Sequence, residues 1–283
     1  MKMREIGIKS SAYFTCGDVD QGFARMAKHG YTNCDYEKFV RVDRPWFNVS
    51  DDQFEKQCLE DRMLAEKHGV KIDQTHAPWL WPAKNLTAKD RDEWFDNMVK
   101  ALHGTKLLNC KNFVIHPLMP WNGDELDKKF LWDVNLEFFN RLIPHAKQNG
   151  ITLCFENMPM KDLSISTVEA CIEFLDMLNS EQMGICLDTG HAWVFGTQPA
   201  DAVRLLGNRI KAFHVHDNHG GYDHHLLPCM GSIDWEAFKI ALKECVDESV
   251  PLDLETSAPR NLPLNVKEGF ETALADLARY LAN

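Results

Sequence analysis

Met183-Gly184-Ile185-Cys186-Leu187-Asp188-Thr189-Gly190-His191 is an apolar run that ends in a carboxylate, a glycine and an imidazole. A buried parallel strand fits the run, and the polar end sits where such a strand delivers its chemistry. The glycine is expected to let the backbone turn, so that Asp188 and His191 address one region. Taken alone, Asp188 is also a good helix cap. The same design recurs on both sides along the chain. Lys71–Thr75 leads into His76, Asn112–His116 ends in His116, Thr152–Glu156 in Glu156 and Leu252–Glu255 in Glu255.

Eight β-rich runs alternate with eight amphipathic stretches. The expected strands are Ile6–Ser10, Tyr31–Tyr36, Lys71–Thr75, Asn112–His116, Thr152–Glu156, Met183–Asp188, Ile210–His216 and Leu252–Glu255. Between them the pattern predicts helices over Asp18–His29, Asp51–His68, Ala88–Leu108, Glu125–Gln148, Thr167–Leu178, Ala200–Leu206, Asp234–Glu248 and Val266–Leu281. Ser50 and Thr87 offer N-terminal caps, and Gly30, Gly69 and Gly150 stand where a helix ends in a left-handed residue. The Gly-rich turn of a dinucleotide-binding fold is missing after the first strand, where Ser10-Ser11-Ala12-Tyr13-Phe14 follows instead. The expected fold class is therefore α/β, an eight-stranded parallel (β/α)8 TIM barrel, in a single domain spanning 1–283. A barrel of that kind needs about 250 residues, and the chain has 283.

Lys and Arg number 31 against 42 Asp and Glu, a net charge of −11 that repels phosphate backbones and anionic membranes. Nucleic acid and membrane are accordingly not the expected partners. Nine cysteines include no C-x-x-C pair, and several fall inside apolar runs, as in a reduced protein. The first residues lead straight into a strand with no apolar stretch of signal length, and no segment approaches the roughly 20 apolar residues of a membrane span. The expected location is the cytoplasm.

Five potential ligands, His76, His116, Glu156, Asp188 and Glu255, fall at strand ends that barrel closure would bring together. His214 and His216 flank Val215, so period-two alternation puts both on one face and does not choose between them. The loop Asp217-Asn218-His219-Gly220-Gly221-Tyr222-Asp223-His224-His225 adds Asp223 and His225 as ligand candidates, with His219 and His224 better read as loop surface.

Thr75-His76-Ala77-Pro78, Val114-Ile115-His116-Pro117, Phe155-Glu156-Asn157, Cys186-Leu187-Asp188-Thr189-Gly190-His191-Ala192, Phe213-His214-Val215-His216-Asp217-Asn218 and Leu254-Glu255-Thr256 together give a specific match. Through them, and through Asp223–Pro228 and Gly231-Ser232-Ile233-Asp234-Trp235, the chain resembles the xylose isomerase-like superfamily. That group includes sugar isomerases, epimerases and endonuclease IV, and the likeness runs nearly end to end. For sugar isomerases the resemblance implies one dication held by Glu156, Asp188, His214 and Glu255, with His191 touching substrate. For the endonuclease IV branch it implies further zinc ligands at His76, His116, His191, Asp223 and His225. The arginine that follows the metal histidine in ketose 3-epimerases has no counterpart in Asp217-Asn218-His219-Gly220. The loops Trp79-Leu80-Trp81-Pro82 and Trp121-Asn122-Gly123-Asp124-Glu125 are aromatic and acidic where a DNA-binding face should be basic.

The function expected from this resemblance is a divalent-metal-dependent sugar isomerase or epimerase. Its cofactor would be Mn, Zn or Mg, and its partner a small sugar or polyol. Such chemistry removes a proton next to a carbonyl and stabilises the resulting enediolate, which a dication does as a Lewis acid. Glu156 and Glu255, on different strands, are the expected catalytic base and acid. His191, His216, Trp79, Trp121 and Trp193 are expected to contact substrate, and exposed tryptophans would also suit a homodimer. The alternative is an endonuclease IV-like multinuclear zinc phosphodiesterase acting on abasic DNA.

Overall fold

The computed structural model describes residues 3–14, 18–79, 85–120, 127–259 and 261–283. Eight parallel strands form one sheet: β1 Ile6–Lys9, β2 Asn33–Tyr36, β3 Lys71–His76, β4 Asn112–Ile115, β5 Thr152–Glu156, β6 Met183–Asp188, β7 Ile210–His214 and β8 Leu252–Leu254. Each pairs with its neighbours in chain order, and β1 pairs with β8. The seam between β7 and β8 is closed by one residue. Val215 N donates to Asp253 O at 2.9 Å, and Glu255 N donates to Val215 O at 2.9 Å. The expected (β/α)8 barrel is the fold found.

Around it lie α1 Val19–His29, α2 Asp51–Lys67, α3 Ala88–Leu107, α4 Lys128–Asn149, α5 Val168–Leu178, α6 Thr189–Val194, α7 Pro199–Leu206, α8 Trp235–Cys245 and α9 Leu264–Ala282. Their ends follow local chemistry. Thr87 and Asp90 form a reciprocal capping box at the start of α3. Asp18, Asp127, Thr167 and Asp234 cap four other helices through side-chain oxygens. Gly30 and Gly150 take the left-handed conformation after α1 and α4.

Two expectations need correction. The strand drawn to His216 stops at His214, because Val215 leaves the β6 edge to bridge β8. Thr189–Val194, expected as a turn, is a short helix, with Asp188 as its cap. The predicted helix start at Glu125 lies outside the described residues.

Packing divides into two parts. The outer core, between sheet and helices, includes Phe139, Phe155 and Phe174, with Phe155 and Phe174 ring centroids 4.7 Å apart. Inside the barrel Val114, Cys154, Cys186 and Ala212 form a separate small cluster. Each lies two residues before a candidate ligand on its strand, so alternation carries the ligands into the barrel mouth just above this plug. The β1–β3 side of the interior is polar instead, with Asn33, Asp35, Gln74 and Asp253 buried there. Among the described residues, no helix is long and apolar enough to cross a membrane.

Candidate metal centre

Glu156 stands at the middle of the site, almost wholly buried at the end of β5. Its two oxygens serve two directions. Oε2 lies 2.8 Å from His116 Nε2 and 3.8 Å from His76 Nε2. Oε1 lies 3.1 Å from His214 Nδ1 and 3.5 Å from His191 Nδ1. Glu255 enters from the opposite side of the mouth, its Oε2 3.6 Å from His214 Nδ1. Asp188 divides its carboxylate as well: Oδ1 accepts from His191 N at 2.6 Å as the cap of α6, and Oδ2 faces His216 Nε2 at 3.0 Å. Helix cap and ligand candidate are thus one residue.

Four groups of side chains among the described residues each have ligand atoms within 4.8 Å of one another; one of them, Glu156, Cys186 and His214, shares two members with the first of the three below. The first is Glu156, Asp188, His214 and Glu255, the four residues expected to hold one dication. The second is His76, His116 and Glu156, and the third is His191, His216, Asp223 and His225. Glu156 belongs to the first two, so its carboxylate can bridge them.

Three of these histidines are oriented by backbone carbonyls. His76 Nδ1 donates to Ala77 O at 2.9 Å, His191 Nδ1 to Asn157 O at 2.8 Å and His225 Nδ1 to Glu255 O at 3.0 Å. A carbonyl only accepts, so in each ring Nδ1 carries a proton and Nε2 is the nitrogen that could bind a cation once its own proton is lost. His225 is held in this position with φ 47° in the loop after β7. Several buried polar atoms here have no hydrogen-bond partner: Glu255 Oε2, Asp223 Oδ1, His116 Nδ1, His214 Nε2 and His216 Nδ1. Buried orphans gathered in one place fit the ligand atoms of a cation.

Charge gives the same indication. Burial disfavours a charged His214, but Cys186, Glu156 and Glu255 overcome it and raise its pKa well above the usual imidazole range. Burial likewise opposes the charge on His191 and His225, yet Asp188 and Asp223 raise His191 to about 10, and Asp223 and Glu255 raise His225 to about 9. Burial alone would raise Glu156, Asp223 and Glu255, but the neighbouring imidazoles outweigh it and hold all three below the usual carboxylate range. His116 moves the other way, lowered by burial. Without metal, protons on histidines neutralise the carboxylates, and a dication would take their place. The donor set of carboxylate oxygen and imidazole nitrogen suits Zn2+ or Mn2+.

A cavity of about 180 Å3 opens over these groups, lined by Glu37, Val40, Trp79, Met158, Pro159 and Met160 together with His76, His116, Glu156, His191, Asp223, His225 and Glu255. Of the expected substrate contacts, His191 and Trp79 line it. His216 does not: its side chain is fully buried, so it reaches Asp188 rather than a ligand in the cavity. Trp193 is off the wall as well, its indole N–H donating to Ser232 Oγ at 2.9 Å across the loop. Trp121 lies outside the described residues, as do Trp81 and Arg260. His219 and His224 are exposed, as a loop surface requires.

Three residues were missed in the sequence. Lys9, at the end of β1, stands 3.8 Å from Glu255 Oε1, and although burial opposes its charge, Glu255 and other nearby carboxylates raise its pKa. Glu37, just past β2, lines the cavity, and its pKa is raised by burial. Asp35 lies 3.2 Å from His214 Nε2. Inward parity at the ends of β1 and β2 was the signal available for all three.

A family model described as xylose isomerase-like TIM barrel matches residues 23–277. Among curated proteins, uncharacterized protein MJ1311 of Methanocaldococcus jannaschii is 30% identical over 188 residues, 64% of this chain and 63% of that protein. The chain spans less than two thirds of MJ1311, and 42% of uncharacterized protein y4fM of Sinorhizobium fredii. A probable endonuclease 4 of Metamycoplasma arthritidis is 26% identical over 238 residues, 78% of this chain and 83% of the relative. Among solved structures, D-psicose 3-epimerase with D-tagatose from Clostridium cellulolyticum H10 superposes with a TM-score of 0.80 at 17% identity, covering 99% of both chains. At that identity the superposition speaks for the fold alone.

Proposed function

The chain belongs to the xylose isomerase-like TIM barrel family, and on that premise we propose that it is a divalent-metal-dependent isomerase or epimerase acting on a small hydroxy-carbonyl compound of the sugar or polyol class. One observation carries the reading. Glu156 and Glu255, from β5 and β8, both line the cavity, and both belong to the group that includes Asp188 and His214. Two carboxylates flanking one position are what inversion beside a carbonyl requires. A cavity of about 180 Å3 with Val40, Trp79, Met158 and Met160 on its wall matches a molecule of a few carbons and limits water around it.

Both carboxyls are held ionised by neighbouring imidazoles, the state in which a carboxylate takes a proton from carbon. The partner on the other face must hold a proton to return. His225, protonated at neutral pH, lies 3.7 Å from Glu255 Oε2 and is a source for it. A bound dication would supply Lewis-acid polarisation of the substrate's adjacent oxygens. Replacing Glu156 or Glu255 by Gln is expected to abolish exchange of the carbon-bound proton with solvent deuterium, while circular dichroism stays unchanged. Unchanged exchange in both variants sinks the mechanism.

A second reading, a multinuclear zinc phosphodiesterase, draws on the two further ligand groups and on the carboxylate of Glu156 turned to both. It requires about three zinc ions per chain and cleavage of abasic DNA. Zinc stoichiometry by elemental analysis, with an abasic-site cleavage assay, separates the two.

A further inference from the structure

His214 differs from the other histidines of the centre. In His76, His191 and His225 a backbone carbonyl takes the Nδ1 proton and leaves Nε2 toward the ligand groups. In His214 the ring is reversed, with Nδ1 3.1 Å from Glu156 Oε1 and 3.6 Å from Glu255 Oε2. Its Nε2 points away from the mouth, toward the Asp35 carboxylate at 3.2 Å. The approach is close without the alignment of a hydrogen bond, and neither that nitrogen nor either Asp35 oxygen is hydrogen-bonded to any described group. Both side chains are about 1% exposed, so bulk solvent does not reach them.

From this we infer that Asp35 is the positioning residue for the four-ligand cation site: it holds the His214 proton on Nε2 and so presents the Nδ1 lone pair to the cation. The inference rests on the four-ligand reading above and extends it to a residue outside that set. The backbone explains how Asp35 comes to be there. Between Cys34 and Asp35 the β2–β3 register skips Asp73, a bulge in which Cys34 N donates to Asp73 Oδ1 at 3.1 Å. The extra residue, Asp73, belongs to β3, so Asp35 keeps the inward parity that it shares with Asn33 and Glu37. The carboxylate that results lies beneath His214 rather than in the cavity. Asp35 therefore acts through the imidazole and not on substrate, and an acid behind a ligating histidine fixes both tautomer and ring direction.

The test is cation affinity, measured on the full chain with Zn2+ against a chromophoric chelator. Asp35→Ala is expected to weaken binding by roughly 10–100-fold, the usual effect of losing such a partner. Asp35→Asn, whose amide oxygen still accepts the Nε2 proton, is expected to recover part of that loss. In the zinc-loaded wild-type chain, 15N chemical shifts should show His214 protonated at Nε2 and bound through Nδ1. That measurement needs no variant to fold. Wild-type affinity in Asp35→Ala, or the opposite tautomer in the spectrum, overturns the assignment. Failure of the underlying reading looks different: a wild-type chain that binds no zinc, or a His214→Ala variant that binds it as tightly as the wild type.

Discussion

Gly190 lies directly beneath the His216 ring, and a Cβ at that position would run into the imidazole. The glycine was expected to serve a turn, but it lies inside α6 and its work is to leave room. His216 in turn reaches Asp188 Oδ2 at 3.0 Å. Gly190→Ala is therefore expected to destabilise the fold by about 1–3 kcal/mol through overpacking and to weaken cation binding, because the displaced ring releases Asp188. Denaturant unfolding and zinc titration read the two effects. In the double variant with His216→Ala the overpacking should largely disappear, giving a coupling that independent sites would not show.

Acid–base behaviour follows from the raised imidazoles. Protonated His191 and His225 contribute stability that is fully present below their unfolded value of about 6.5. That contribution is lost as pH rises through about 9 for His225 and about 10 for His191. Asp223, whose pKa is depressed, acts at the other end: its contribution is present above about pH 4 and is lost in acid. The melting temperature of the metal-free chain should fall between pH 6.5 and 10. A profile flat across that window would contradict the assignment of charge.

Cation loading of the four-ligand site would displace the proton of the raised imidazole it uses, His214. At pH 7 zinc binding should release protons, seen calorimetrically as a heat that depends on the ionisation enthalpy of the buffer. Chelation should lower the melting temperature by removing bound-state stabilisation, since free zinc at 100 times its dissociation constant stabilises by about 2.7 kcal/mol.

The outer core gives a prediction that does not involve the centre. Phe155 packs on Phe139 and Phe174 with centroids 5.3 and 4.7 Å away. Phe155→Ala is expected to cost about 3–5 kcal/mol. Since Phe155 neighbours Glu156 in sequence but faces the helices, zinc affinity measured well below the transition should change far less than for Asp35→Ala.

The barrel was legible because its signal is repeated. Apolar runs of four to six residues such as Met183–Asp188 stop at polar groups, with helix caps such as Thr87 between them. The ligand groups were legible for the same reason, and Glu156, Asp188, His214 and Glu255 do converge. What escaped depends on contacts across the barrel. Asp35 reads as one more acid in Asn33-Cys34-Asp35-Tyr36 until the His214 ring is seen against it. His216 could not be separated from His214 by parity, because the residue between them leaves its own sheet edge for β8. Indoles mislead for a related reason: Trp79 and Trp193 have similar sequence settings, but one lines the cavity and the other braces a loop.

The bridge at Val215 has a temporal meaning. His214 is delivered by the seventh strand and Glu255 directly follows the eighth, so the four-ligand set stays one donor short until the last strand is in place. A nascent or nicked polypeptide lacking its last unit would hold only three donors of that set, and filling of the four-ligand site would report that the ring has shut.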